Sequence, residues 1–145
     1  MQKLIILTVS LAVIIAMLRA HSGNGRGSGG GGPLICLWTA GQIDALIPEL
    51  MDEGFNCTWP CEEFVGMDVV KLRKEYGRAM RFAGNIGIRA LEAGKDAIDR
   101  EFDEKICPMV EEGGYIPTLD DQASPDIPWE HYQYYIERLK GLKLG

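Results

Sequence analysis

The fold is decided by two short stretches of the chain, Met51-Asp-Glu-Gly-Phe55 and Val110-Glu-Glu-Gly-Gly-Tyr115. In both, two acidic residues are followed by glycine and then by an aromatic residue that opens an apolar run. Glycine adopts a positive φ at little cost and commonly follows the last turn of a helix. The two stretches therefore predict helices that turn directly into strands, as short helix-to-strand loops do in parallel sheets.

Outward from these turns, short apolar runs alternate with amphipathic stretches. The apolar runs predict strands at residues 34–38, 55–59, 80–83 and 115–119. Apolar residues at helical spacing predict helices over residues 43–51, 68–76, 95–112 and from 129 onward. Pro48 is expected to loosen the first turns of the first helix. This alternation predicts an α/β fold of four βα units with parallel strands.

The chain divides into three predicted parts. Residues 1–20 contain an apolar run over residues 4–18, typical of a signal peptide or a short membrane anchor, which would export or anchor the protein. A miscalled gene start or a truncation that joins unrelated residues to a domain fragment is the alternative. Residues 21–33 are rich in glycine and predict a flexible linker, and residues 34–145 form the folded part.

Length and charge limit the possible functions. The chain has 145 residues and a net charge of −6. A whole (β/α)8 barrel needs about 250 residues, so the length allows half of one. The only basic cluster is Lys71-Leu-Arg-Lys74, so nucleic acid is an unexpected partner. The cysteines form no CxxC pair and the two histidines lie near none of them, so we expect no metal site of the zinc-finger kind.

Four longer strings carry a resemblance to a known family: Gly66 to Gly77, Ala90 to Ile98, Glu111 to Thr118 and Pro125 to Glu130. In order and spacing they resemble the closing segments of the uroporphyrinogen decarboxylase (URO-D) superfamily. The resemblance implies that residues 34–145 form the C-terminal half of a (β/α)8 TIM barrel, about four βα units, behind an N-terminal apolar helix and a Gly-rich linker.

The resemblance also implies an activity. The family includes a decarboxylase of tetrapyrrole synthesis, which removes carboxylates from uroporphyrinogen without a cofactor, and zinc-dependent methyltransferases that move methyl groups between corrinoid proteins and thiols. We therefore expect a carboxy-lyase that needs no cofactor, acts on a tetrapyrrole-like small molecule and, as the family does, works in the cytoplasm unless the leader is translated. A corrinoid or thiol methyltransferase relative is the alternative.

Barrel chemistry takes place at the carboxyl ends of the strands. There the chain has Trp38-Thr-Ala-Gly41 where the methyltransferases resemble His-x-Cys-Gly, so the zinc ligands are missing. It has Asp120-Asp121 where relatives carry histidine, and these two carboxylates are the candidate catalytic acid and base. A helix cap or a loop turn is the plainer interpretation of the pair.

Three further residues at the strand ends are candidate substrate-binding groups, namely Thr39, Glu62 and Asn85. A solvated loop position explains Glu62 as well, and turn chemistry explains Asn85 nearly as well. The family's substrate-gripping arginines belong to the absent N-terminal half, so the isolated half is expected to be inactive. We expect a homodimer or a complementary N-terminal half as partner, and a non-catalytic half-barrel that binds another half is a further alternative.

Other side chains are assigned structural roles. Cys36 and Cys107 are expected to be buried thiols, while Cys57 and Cys61 could pair if the chain is exported. Trp129 is expected in the core through its helical spacing, and His131 is expected to be solvated.

Overall fold

A computed structural model describes residues 33–142. Their four strands lie in one sheet in sequence order and are β1 (Cys36–Trp38), β2 (Cys57–Trp59), β3 (Arg81–Ala83) and β4 (Tyr115–Ile116). Each neighbouring pair is parallel. An isolated parallel bridge between Ile86 and Leu119 continues the contact of β3 with β4 beyond the strand ends. The predicted α/β fold with parallel strands is confirmed, although the strands are shorter than predicted.

Six α-helices accompany the sheet: α1 (Ile47–Asp52), α2 (Val69–Tyr76), α3 (Ile88–Ala93), α4 (Lys95–Glu101), α5 (Cys107–Glu112) and α6 (Trp129–Lys140). Two 3₁₀ turns, Asp44–Leu46 and Glu63–Val65, precede α1 and α2. Within residues 33–142, no helix is long and apolar enough to cross a membrane. The predicted leader and most of the glycine linker lie outside the described residues.

The ends of α2 follow directly from the sequence. Asp68 precedes the helix, and its carboxylate accepts a hydrogen bond from the backbone N–H of Lys71 at 3.0 Å. This satisfies one of the N–H groups that the first turn leaves unpaired. Gly77 follows the helix at φ 58°. The glycines of the two deciding stretches behave as predicted, since Gly54 has φ 94° and Gly113 has φ 74°.

The predicted helix over residues 95–112 contains a π turn. Residues Phe102–Ile106 form this turn between α4 and α5. Pro108 lies at the start of α5 and has no N–H to donate to the preceding turn, which accounts for a local change in the hydrogen-bond pattern. The apolar face is buried as predicted and consists of Ile98, Phe102, Ile106, Met109 and Val110.

Some predicted positions of side chains are wrong. The Trp129 side chain is 69% exposed and stacks on Tyr132 with ring centroids 5.8 Å apart. Periodicity places Trp129 on the inner face of α6. The residue is the first of the helix, however, and the core residues do not cover it there. The imidazole of His131 is half-buried, not solvated, and its Nδ1 lies 2.8 Å from the carbonyl oxygen of Leu91.

Arg73 joins α2 to the start of β4 at the amino-terminal side of the sheet. Its side chain is buried, and its two terminal nitrogens donate to the carbonyl oxygens of Gly77 and Gly114, each at 2.8 Å. The guanidinium also lies 5.7 Å from the ring centroid of Phe82 in β3. The planar guanidinium carries several donors and can make both hydrogen bonds at once, which a lysine would not reproduce.

The helices cover one face of the sheet, against which Phe82 and Tyr115 are buried. The register pairs Trp38 with Trp59 on the opposite face. We call this opposite face, with Cys36, Trp38, Trp59 and Ile116, the open face, because these side chains are exposed among the described residues. The prediction that Cys36 is buried is therefore wrong, and Cys107 is only half-buried. A strand in a sheet covered on one side exposes alternate residues, and Cys36 occupies such a position.

Candidate functional site

The carboxyl ends of parallel strands meet at one edge of a sheet. The structure places all five candidate residues in the segments that leave this edge: Thr39 after β1, Glu62 after β2, Asn85 after β3, and Asp120 and Asp121 after β4. The loops from β2, β3 and β4 are in direct contact. The backbone N–H of Thr39, after β1, donates to the carbonyl oxygen of Trp59 at 3.0 Å. This edge is therefore the candidate site. The burial and the hydrogen bonds of each side chain decide whether that side chain can contact a ligand.

Glu62 is buried and joins the ends of β1 and β2. Its Oε2 accepts a hydrogen bond from the backbone N–H of Gly41 at 2.6 Å. Its main-chain oxygen accepts from the N–H of Met67 at 3.2 Å. The carboxylate thus holds the glycine loop after β1 against the loop after β2.

Asn85 clamps the loop after β2. The side chain is 1% exposed, and its Nδ2 donates to the carbonyl oxygens of Cys61 at 2.7 Å and Met67 at 2.8 Å. Its backbone has φ 65°, a left-handed conformation that asparagine tolerates better than most residues. The main-chain carbonyl oxygen of Asn85 accepts a hydrogen bond from Nζ of Lys105 at 2.6 Å. Both amide hydrogens are therefore used inside the protein.

Asp120 caps a helix that is distant in sequence. Its carboxylate accepts from the N–H of Ile88, the first residue of α3, at 3.0 Å, and from the N–H of Glu63 at 3.2 Å. Burial raises the pKa of this carboxyl, while the backbone hydrogen bonds and the charge of Lys105 act in the opposite direction. Burial, and not the neighbouring carboxylate of Asp121, is therefore the main cause of the shift.

Asp121 and Thr39 are more accessible. The Asp121 side chain is exposed, and its Oδ1 accepts from the backbone N–H of Gln122 at 2.6 Å. Thr39 is half-buried, and its hydroxyl donates to the carbonyl oxygen of Ala40 at 3.3 Å. These two side chains keep unused hydrogen-bonding capacity at the edge.

A cleft of about 630 Å³ opens beside Asp120 and Asp121. Its wall includes Phe64 and Arg89, whose guanidinium lies 5.8 Å from the Phe64 ring centroid. Glu63 also lines it, and burial raises the pKa of its carboxyl against the opposing charge of Lys105. None of Glu63, Phe64 and Arg89 was predicted as a site residue from the sequence.

A second cleft of about 530 Å³ adjoins the first and shares Glu63 and Glu101 with it. Lys105 lines this cleft, and its Nζ lies 2.7 Å from Oε2 of Glu101. Since Nζ also donates to Asn85, the lysine links the outer helix to the end of β3. The two clefts together offer carboxylates for proton transfer and three cationic groups, Arg89, Arg100 and Lys105.

Two tryptophans form a wall where the open face reaches the carboxyl edge. The rings of Trp38 and Trp59 lie 6.4 Å apart between centroids, at 48°. The indole Nε1 of Trp59 donates to Oγ1 of Thr118 at 3.2 Å, which fixes that ring over the end of β3. This tryptophan pair could contact a flat apolar ligand.

Neither a group of metal ligands nor a match to a known protein identifies the function of this edge. Among residues 33–142, no three His, Cys, Asp or Glu side chains are grouped so that they could hold a metal ion. No protein-family model matches the chain, and neither a curated protein nor a solved structure matches it.

Proposed function

We propose that residues 34–145 are the C-terminal half of a (β/α)8 barrel of the URO-D type, which works as a carboxy-lyase once a complementary half completes it. The strand order supports the proposal, because β1 to β4 are parallel and follow one another without a reversal. Right-handed crossovers between such strands place all the connecting helices on one face. A closed barrel of this class needs eight strands, and four of them are here.

The open face is the observation that carries the proposal. Trp38 is 69% exposed, Trp59 41% and Ile116 45%, and each is the last residue of its strand on this face. Contiguous exposed apolar side chains of this kind mark protein interaction surfaces. In a complete barrel this face would be the packed interior, where large apolar side chains belong.

The strand edges support the same arrangement. Within the described residues, β1 and β4 each pair on one side only. Unpaired edges invite another strand. A second half-barrel would add four strands and close both edges, whereas an unrelated ligand on the open face would leave the edges unpaired.

The proposed substrate is a tetrapyrrole that carries carboxylates. The tryptophan pair offers a flat apolar wall to its ring, and the exposed carboxylate of Asp121 could accept hydrogen bonds from pyrrole N–H groups. The first cleft contains Glu63, Glu101, Asp120 and Asp121 with one arginine, so its negative charge repels a polyanion. The cationic groups that bind the substrate must therefore come from the other half, and the isolated chain is expected to be inactive.

A non-catalytic half-barrel is the second candidate. It is favoured by the hydrogen bonds of Glu62, Asn85 and Asp120, which engage these side chains within the chain. In that case the protein would bind another half without contributing an acid or base to any reaction.

Light scattering on the full chain, alone and mixed with the N-terminal half of an intact uroporphyrinogen decarboxylase, tests the assembly. Trp38→Ser should weaken the complex at least tenfold. Trp129→Ser is the matched control, because Trp129 is equally exposed but lies on α6. A monomer that binds no half would contradict the half-barrel proposal.

The chemistry needs a separate assay, in which the mixture receives uroporphyrinogen and the products are separated by chromatography. Decarboxylated products that require both halves would support the carboxy-lyase. A complex of the correct mass without turnover would contradict it and favour the non-catalytic candidate.

A further inference from the structure

Two cysteines face each other across the first pair of strands. The register places Cys36 in β1 directly opposite Cys57 in β2, and their Sγ atoms lie 3.1 Å apart. Both are free thiols in the structure. The sequence had suggested a different pair, Cys57 with Cys61, but the Cys61 thiol instead donates to the carbonyl oxygen of Thr58 at 3.5 Å.

We propose that Cys36 and Cys57 are a modification site, at which a small disulfide such as oxidised glutathione converts them into an intramolecular disulfide that links β1 to β2. Neighbouring strands lie about 4.8 Å apart, and the Cα atoms of disulfide-bonded cysteines lie about 4.4 to 6.8 Å apart. The backbone spacing therefore suits the bond without rearrangement of the sheet. The two sulfur atoms need to approach by about 1 Å.

The two thiols differ in access, and this orders the reaction. Cys36 is exposed on the open face, while Cys57 is fully buried. Burial, and then the hydrogen bond with Cys36, raise the pKa of the Cys57 thiol, so it is a poor first nucleophile. Cys36 is the thiol that an external disulfide can reach.

The exchange proceeds in two balanced steps. The Cys36 thiolate attacks one sulfur of oxidised glutathione, which forms a mixed disulfide and releases one glutathione thiolate. Cys57 then loses its proton, and its sulfur attacks Sγ of Cys36 and releases the second glutathione. Two thiol protons are released to the solvent and the released glutathione, and glutathione disulfide accepts the two electrons.

The bond would secure the edge of the sheet. The two cysteines are 21 positions apart in sequence, with Cys36 in the edge strand β1 and Cys57 in β2. A cross-link of this length restricts the unfolded chain, and we expect the oxidised protein to unfold roughly 10 °C higher than the reduced one.

The test incubates the full chain with excess oxidised glutathione, alkylates the remaining thiols and maps the peptides by mass spectrometry without reduction. Wild type should lose two of its four alkylatable thiols and yield a peptide linked through Cys36 and Cys57. Cys36→Ser, a change at an exposed position, should abolish the link. Cys57→Ala should stop at a glutathione adduct on Cys36, and Cys107→Ser should behave as wild type.

Three results would overturn the proposal. One is a chain that keeps all its thiols, and another is a link between Cys57 and Cys61. The third is a disulfide between two chains that forms in place of the internal one even when the protein is dilute. If Cys57→Ala fails to fold, the Cys36→Ser comparison still decides between these outcomes.

Discussion

The indole of Trp59 in β2 donates a hydrogen bond to the hydroxyl of Thr118, which follows β4, and the bond crosses the end of the intervening strand β3. It is the contact that joins the tryptophan pair to the last strand. The bond ties together segments that are 59 residues apart.

Removing this bond should cost little stability, and the two partners should be coupled. Trp59→Phe keeps an aromatic ring without the donor, and Thr118→Val keeps the shape without the acceptor. Because the Trp59 side chain is 41% exposed, each change should cost about 0.5 to 1.5 kcal/mol. Urea unfolding of both single variants and the double variant measures the coupling, and strictly additive losses would show that the bond does not contribute.

Gly84 allows the loop after β2 to lie against the end of β3. A Cβ at this position would collide with the carbonyl oxygen of Pro60, and Gly84 has φ 97°. Gly84→Ala should therefore cost more than about 3 kcal/mol of unfolding free energy.

Gly54→Ala is the matched control for Gly84→Ala. Gly54 has nearly the same φ, 94°, but a Cβ there would meet nothing within 4 Å. The strain of a left-handed alanine alone costs about 1 to 2 kcal/mol. Equal losses for the two variants, measured by thermal or urea unfolding, would contradict the close contact with Pro60.

Asn85 should be more important for folding than its place at the edge suggests. Asn85→Ala would leave the carbonyl oxygens of Cys61 and Met67 without their donor and would strain the left-handed backbone. We expect a loss of about 3 to 5 kcal/mol. Asn85→Gly removes the same bonds but tolerates the backbone, so it should recover about 1 kcal/mol of the loss.

The outcome that would contradict this role of Asn85 is a fully stable Asn85→Ala protein that has lost only ligand binding. In that case the side chain would serve the site and not the fold. Unfolding curves together with the uroporphyrinogen assay separate the two roles.

Asp120 should make the protein less stable as the pH rises through the acid range. Its pKa is higher in the folded protein than its usual value of 3.8, so the folded state holds the proton more tightly. Stability then falls as the pH rises through the folded pKa, and the cost persists above it. Asp120→Asn removes this titration but replaces an acceptor by an amide, which adds a constant cost.

The measurement for Asp120 is the difference in unfolding free energy between wild type and Asp120→Asn at a series of pH values. The advantage of wild type should shrink as the pH rises above the usual carboxyl pKa of 3.8. A difference that stays constant or grows with pH would refute the raised pKa.

Local rules predict the fold well where the deciding residues are neighbours in sequence. Asp68 and Gly77 give both ends of α2, and the glycines after α1 and α5 give the turns into β2 and β4. Short helix α3 was not predicted, because the side chain that caps its first turn is Asp120, which is 32 residues away from Ile88. Its own N-cap residue, Gly87, has no side chain to reveal it.

The candidate site was predictable only in its location. Parallel strands require that their following residues share one edge, and Thr39 and Asp121 do lie there. The sequence could not tell which polar groups remain available, because the bonds of Glu62 and Asn85 reach loops that are 18 to 24 residues away. The predicted burial of Trp129 was wrong for a similar reason. Helical periodicity shows which face of the helix a side chain lies on, but it does not show whether another element covers that face.

The strand order also has a kinetic consequence. Each strand pairs with the strand made just before it, so the sheet from β1 to β4 can grow one βα unit at a time as the chain leaves the ribosome. The last strand, β4, does not have to insert between earlier strands. It can pair with β3 as soon as it has been synthesised. Loop closure at each step spans one unit, which keeps its entropic cost small.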